Sequence, residues 1–203
     1  YELPLIRKIF SKFNQIPNQV VCFGGNTCLY TTGIHIYDLV CELYNEIPEY
    51  VITDIHDDKI NPRGKNLSYI SGFIKFFFKS KKTLIFEISN KTNIKNRTFL
   101  SSEYLTVETN GREIIYNKFL PPKNKKQNIT IRYENYKTIK FDRQSYYFTM
   151  VDNLLNNKIE KNYYEKKKKI NKSFLSILQT KKLKKEKISF LNKKYYNRKY
   201  NVS

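Results

Sequence analysis

The chain has 203 residues, with Lys+Arg 38 against Asp+Glu 18 and a formal net charge of +20. At 40% hydrophobic it can bury a core of ordinary size, and its field favours polyanionic partners such as nucleic acid. No apolar run approaches the roughly 20 residues that span a bilayer, and Tyr1–Phe13 is too charged for a secretory signal, so neither a membrane span nor a leader is expected.

The sequence has no Ala and no Trp, and 31 Lys stand against 7 Arg. This bias points to a very AT-rich genome, organellar, viral or plasmid, and part of the lysine excess follows from it. Cys22, Cys28 and Cys41 form no CxxC unit and are odd in number. They read as small buried hydrophobes in a reducing compartment, without a disulfide framework or metal site. The Asn-x-Ser/Thr triplets are chance matches in an asparagine-rich chain.

Leu5, Ile6, Ile9, Phe10 and Phe13 recur at helical spacing behind Pro4, which suits a first helical turn. Gln19–Phe23 reads as a short strand stopped by Gly24-Gly25. Ile36, Leu39, Val40, Leu43 and Ile47 make the stripe of a second helix, and Tyr50–Ile55 another strand beside Asp54, Asp57 and Asp58. Beyond a loop at Pro62 and Gly64, Tyr69–Phe78 is aromatic and of either type, and Thr83–Ile88 is a strand. The order predicts a small α/β extension over residues 1–92.

Residues 93–160 predict a hairpin-hairpin-helix α+β module. Asn110-Gly111 is a type I′ turn signal between Tyr104–Thr109 and Arg112–Asn117, and it sets Val107 opposite Ile114 and Leu105 opposite Tyr116. A second hairpin turns at Glu134–Tyr136, with Ile131 opposite Ile139 and Ile129 opposite Phe141. Asp142 caps a helix whose stripe is Phe148, Val151, Leu154, Leu155 and Ile159.

From Lys158 onward, 16 Lys/Arg and 3 acids give +13, while the other 157 residues carry +7. Residues 161–203 read as a lysine-rich tail that binds RNA, with lysines on phosphates and aromatics free to stack on bases. The candidate contacts there are Lys166, Lys167, Lys168, Lys169, Lys172, Lys181, Lys182, Lys184, Lys185, Lys187, Lys193, Lys194, Tyr195, Tyr196, Arg198 and Lys199. Lys123, Lys125, Lys126 and Arg143 join them from the module. Lysine in place of arginine implies contact with backbone charge more than base readout.

An enzymatic reading stands beside this one. A strand ending in Gly24-Gly25, a helix, and a strand bearing Asp54 follow the order of a dinucleotide-binding unit, although the loop is not GxGxxG. Tyr50–Asn90 also resembles viral and ribosomal-RNA 2′-O-methyltransferases. That likeness implies Asp54 as catalytic acid and Glu103 as the last member of a Lys-Asp-Lys-Glu tetrad, yet Thr83-Leu-Ile-Phe-Glu-Ile88 lacks the lysine. A nucleotidyltransferase could begin with the Gly-Gly, but its DxD pair is absent.

Phe99–Ile170 resembles the first domain of bacterial-type large-subunit ribosomal protein six. The likeness rests on Leu105-Thr-Val-Glu-Thr-Asn-Gly111, the basic loop Leu120-Pro-Pro-Lys-Asn-Lys-Lys126, Asn128-Ile-Thr-Ile131, Asp142-Arg143, Leu154-Leu-Asn-Asn-Lys-Ile159 and Tyr164-Glu-Lys-Lys-Lys168. It covers about a third of the chain, and departs from the family in its Pro-Pro, in residues 1–92 and in the missing second domain.

These readings combine into an α+β fold of antiparallel hairpins packed on a helix, preceded by a small α/β extension and followed by a basic tail. The expected function is a structural, non-catalytic constituent of an organelle-encoded mitochondrial ribosome in the matrix. Its partners would be ribosomal RNA and neighbouring ribosomal proteins, with no small-molecule substrate, cofactor or metal. The alternative is a 2′-O-methyltransferase, or its degenerate capping-associated relative, from an AT-rich virus or plasmid.

Overall fold

A computed structural model describes residues 3–25, 29–60, 68–89, 91–110, 113–119, 133–140, 152, 156, 161–180 and 182–195. In chain order they form α1 (Leu3–Lys12), β1 (Gln19–Gly24), a π-helical turn (Leu29–Gly33), α2 (Ile34–Tyr44), β2 (Tyr50–Ile60), β3 (Ser68–Phe77) and β4 (Thr83–Ile88). There follow β5 (Arg97–Ser101), β6 (Leu105–Thr109), β7 (Glu113–Phe119), β8 (Tyr133–Lys140), α3 (Lys161–Leu178), β9 (Lys182–Lys187) and α4 (Ile188–Tyr195).

All nine strands join one sheet in the order β8-β7-β6-β5-β1-β4-β3-β2-β9. Among the described strands only β1 and β4 pair in parallel; the other neighbours are antiparallel. The crossover through α2 carries the chain past two strand positions, and β2, β3 and β4 then meander back to β1. A parallel pair needs such a long connection, whereas the antiparallel ones close through short turns.

The strands alternate cleanly because their apolar residues fall at period two. One face presents Val20, Cys22, Leu84, Phe86, Ile74, Phe76, Val51, Leu100 and Val107, all buried. The helices cover this face. Phe13, just beyond α1, lies 5.9 Å from Tyr116, and Tyr37 of α2 lies 4.9 Å from Phe76. Phe174 of α3 meets Tyr37 at 5.0 Å and Phe86 at 5.9 Å. Burying each such ring stabilises the fold by about 1.5–3 kcal/mol.

The expected architecture of hairpins on one helix gives way to this mixed sheet. The Asn110-Gly111 hairpin exists, but Thr109 pairs with Ile114 and Val107 with Tyr116. The slip is two residues, so each side chain keeps its face. Asn110 causes it: its Oδ1 accepts from the Glu113 N–H at 3.1 Å, which closes a longer loop than a two-residue turn. The second hairpin does not form as expected, because β8 runs straight through Glu134–Tyr136 and pairs with β7. Ile129 and Ile131, Phe141, the Asp142 cap and the Phe148–Ile159 stripe lie outside the described residues, apart from Asp152 and Asn156.

The largest correction concerns the basic tail. Ile170, Phe174, Ile177 and Leu178 on α3 are 0–1% exposed, so this helix is core. Past it the chain adds β9 to the edge of the sheet beside β2, and α4 buries Ile188 and Leu191. The segment folds because the lysines alternate with a helical apolar stripe.

Candidate functional site

The parallel strands β1 and β4 end at Gly24 and Ile88, and ligands of α/β sheets bind beyond such carboxyl ends. Here β1 leads into the π-helical turn Leu29–Gly33, which runs directly into α2. Single π-turns are uncommon and concentrate at functional sites. Gly33 allows it to pack: a Cβ there would lie 2.9 Å from Leu29 and 3.0 Å from the Phe174 ring. His35 follows in the first turn of α2, and its side chain is exposed. One turn further, Asp38 takes the Lys167 ammonium at 2.5 Å, and Glu42 lies 3.5 Å from it. These contacts hold α3 on α2.

Gly24-Gly25 does not form the open cradle a dinucleotide needs. A Cβ on Gly24 would stand 2.2 Å from Asn96 Oδ1, and one on Gly25 1.8 Å from the Thr92 carbonyl. Gly25 N donates to Ile94 O at 2.9 Å and Ser89 N to Gly24 O at 2.9 Å. The glycines serve the close approach of the β4–β5 connection, which covers them.

Nor is Asp54 placed for either enzymatic role. Strands β4 and β3 lie between β1 and β2, so Asp54 is about 14 Å from the glycines at 4.8 Å per strand. It faces solvent and lies 4.0 Å from Lys182. Glu103, just after β5, is four strand spacings away, roughly 19 Å, and no tetrad assembles.

The predicted RNA contacts fall on several elements of the fold. Lys167 is tied to Asp38, while Lys166 reaches Glu42 at 3.3 Å and Asn45 at 3.1 Å. Burial pulls the Lys167 ammonium down, but the hydrogen bond and charge of Asp38 outweigh it, and its pKa is raised. Lys166, Lys168, Lys169 and Lys172 line a groove of about 530 Å³ with Ile47. Lys182, Lys184, Lys185 and Lys187 lie on edge strand β9, where lysines discourage pairing with another chain. Lys185 also sits over the rings of Tyr50 and Phe77, at 5.2 and 5.6 Å. Lys193, Lys194 and Tyr195 fall on α4. Lys123, Lys125, Lys126, Arg143, Lys181, Tyr196, Arg198 and Lys199 lie outside the described residues.

Cys22 and Cys41 are buried and unbridged. Burial pushes the Cys22 thiol up to about 11 against a weaker opposing bond to Thr98, and burial with Asp38 raises Cys41 further. Cys28 lies outside the described residues. Among the described residues no cluster of three or more His, Cys, Asp or Glu could hold a metal ion, and no helix is long and apolar enough to cross a membrane.

No family model and no curated protein sequence matches the chain. Solved structures do. A super-repressor mutant of Gal80p from Saccharomyces cerevisiae superposes with a TM-score of 0.60 at 8% identity, over 93% of this chain and 63% of that one. An oxidoreductase from Agrobacterium radiobacter, in complex with NAD+, L-tartaric acid and magnesium, gives 0.59 at 10% identity, over 93% and 62%. The protein yvaA from Bacillus subtilis, named as an oxidoreductase, gives 0.61 at 10% identity, over 87% and 58%. The chain thus spans about three fifths of these neighbours. At such identities the likeness shows the fold alone, a mixed α/β sheet that these neighbours share. The resemblance to ribosomal protein six fails with it, since that pattern rested on local hairpins, whereas β6, β7 and β8 are successive strands of a larger sheet. The ribosomal and methyltransferase functions, the ribosomal partners and the expectation of a non-enzymatic scaffold fall for the same reason.

Proposed function

We propose that this chain is a small-molecule-binding domain of the oxidoreductase type, taking a small polar substrate beyond the carboxyl ends of β1 and β4. The observation that carries this reading is His35, an exposed imidazole that follows a π-turn beyond the end of the parallel pair β1–β4. An imidazole there can donate or accept a proton on a substrate hydroxyl or carbonyl. Neighbours of the fold are oxidoreductases, one with NAD+ and a hydroxy acid. The covered glycines do not fit a dinucleotide pyrophosphate, so no step here runs through that cofactor.

The test is nuclear magnetic resonance of the two histidines, His35 and His56, during titration with L-tartrate and other small hydroxy acids. Saturable movement of the His35 signals, absent in His35→Ala, supports the reading. Unmoved His35 signals across the series sink it. The neighbouring super-repressor mutant of Gal80p suggests a second reading, binding without chemistry, which the closed glycine pair favours. In that case ligand binds and no proton exchange at substrate carbon accompanies it.

A further inference from the structure

The sheet face away from the helices is self-complementary. Register sets Ile115, Glu108, Phe99, Val21, Ile85, Lys75 and Ile52 side by side across seven strands. Counted outward from Val21 on β1, Phe99 on one side answers Ile85 on the other. Glu108 answers Lys75, and Ile115 answers Ile52. The next row repeats the pattern: on either side of Phe23, Arg97 on β5 answers Glu87 on β4. Apolar residues match apolar ones, and each cation matches an anion. Phe23 and Phe99 stack at 5.3 Å in the middle of the face, half-buried, and among the described residues the helix contacts fall on the other side.

We propose that two copies of this chain pair face to face through this surface, about a two-fold axis lying along β1. That operation lays β5 of one copy over β4 of its partner, and β6 over β3. Arg97 then meets the partner's Glu87, Glu108 meets the partner's Lys75, and Phe99 packs on the partner's Ile85. An axis running across the strands would lay every strand over its own copy, setting Glu108 on Glu108 and Lys75 on Lys75. Like charges directly opposed exclude that mode. Sheets pack about 10 Å apart with strands within about 30° of one another, a gap these side chains bridge. Seven strands at about 4.8 Å give a face roughly 30 Å wide, on the scale of the roughly 800 Å² per partner of a specific interface. Arg97 already holds Glu108 at 2.8 Å within one chain, so pairing joins two such ion pairs into a network. The pairing is independent of the role given to His35.

Sedimentation equilibrium of the 203-residue chain over a hundredfold concentration range tests it. The expected result is a dimer that Glu108→Lys or Lys75→Glu alone weakens at least tenfold, and that the double exchange restores. The pair Arg97→Glu with Glu87→Arg gives the same rescue from the second row. Circular dichroism of each variant separates lost pairing from lost fold, and only the rescue, not the single losses, is counted. A monomer at every concentration overturns the proposal and leaves the face to a partner of different sequence. A dimer indifferent to the single reversals, or not regained in both double exchanges, overturns it as well.

Discussion

Tyr37 on α2 and Ser173 on α3 share a hydrogen bond of 2.9 Å, 136 residues apart in sequence and both wholly buried. Around it stand Phe174, Phe76 and Phe86, so the lysine-rich helix closes the centre of the core. Phe174→Ala is therefore expected to destabilise the chain by about 3–5 kcal/mol, the cost of an unfilled aromatic cavity. Urea unfolding followed by far-ultraviolet circular dichroism reads this directly. A change below about 1 kcal/mol would mean that α3 packs loosely, as the composition alone suggested.

The ion pair beside that bond gives an expected alkaline dependence. Lys167 has its pKa raised above the ordinary 10.5 by Asp38, with Glu42 adding to the effect. A cation favoured by folding stabilises fully below its unfolded pKa, and that contribution disappears as pH rises through the folded value. Lys167→Met should cost about 2 kcal/mol at pH 7, in line with a hydrogen bond to a charged group. The difference from the parent chain should stay flat to about pH 10 and shrink beyond 10.5. Denaturant midpoints of both proteins from pH 7 to 11.5 measure it, and a gap that narrows on acidification would refute the assignment.

How much of this was readable in the sequence depends on the range of the contact. The stripe of Leu5, Ile6, Ile9 and Phe10 and the alternation in Gln19–Phe23 are local patterns, and they yield α1 and β1. Ile170, Phe174, Ile177 and Leu178 form an equally regular stripe, but the surrounding lysines outweigh it and the segment reads as an RNA-binding tail. The joining of β1 to β4 and of β2 to β9 spans 64 residues at Gln19–Thr83 and 137 at Tyr50–Lys187, and period-two patterns do not say which strand meets which. Nothing in the local sequence singles out His35; its place beyond the parallel pair comes from the fold. The Asn-Gly hairpin misled by one side-chain bond, from Asn110.

Cys22 and Cys41 should resist alkylation in the folded chain. With the Cys22 thiol moved from 9.0 to about 11, its thiolate is roughly 100-fold scarcer at neutral pH than in the unfolded chain, before any loss of access. Iodoacetamide at pH 8, followed by peptide mass mapping, should leave both unmodified under native conditions and label both in urea. Native labelling of Cys22 at the unfolded rate would show that β1 opens readily.

The attachment of β9 to the sheet turns on Thr53, which is 2% exposed. Its Oγ1 donates to Thr180 O at 3.2 Å and accepts from Leu183 N at 3.0 Å, so a single hydroxyl joins β2 to the end of α3 and the start of β9. Thr53→Val keeps the volume and removes both bonds, leaving a buried N–H and a carbonyl without that partner. The expected cost is about 1–3 kcal/mol. Because the hydroxyl lies at the edge, the loss should appear first as local opening of β9. Hydrogen exchange of the Leu183 amide should accelerate at least tenfold in Thr53→Val while amides of β1 and β4 keep their protection. Equal acceleration across the whole sheet would place Thr53 in the global core, and no acceleration at Leu183 would show that the edge strand is held by its backbone ladder alone.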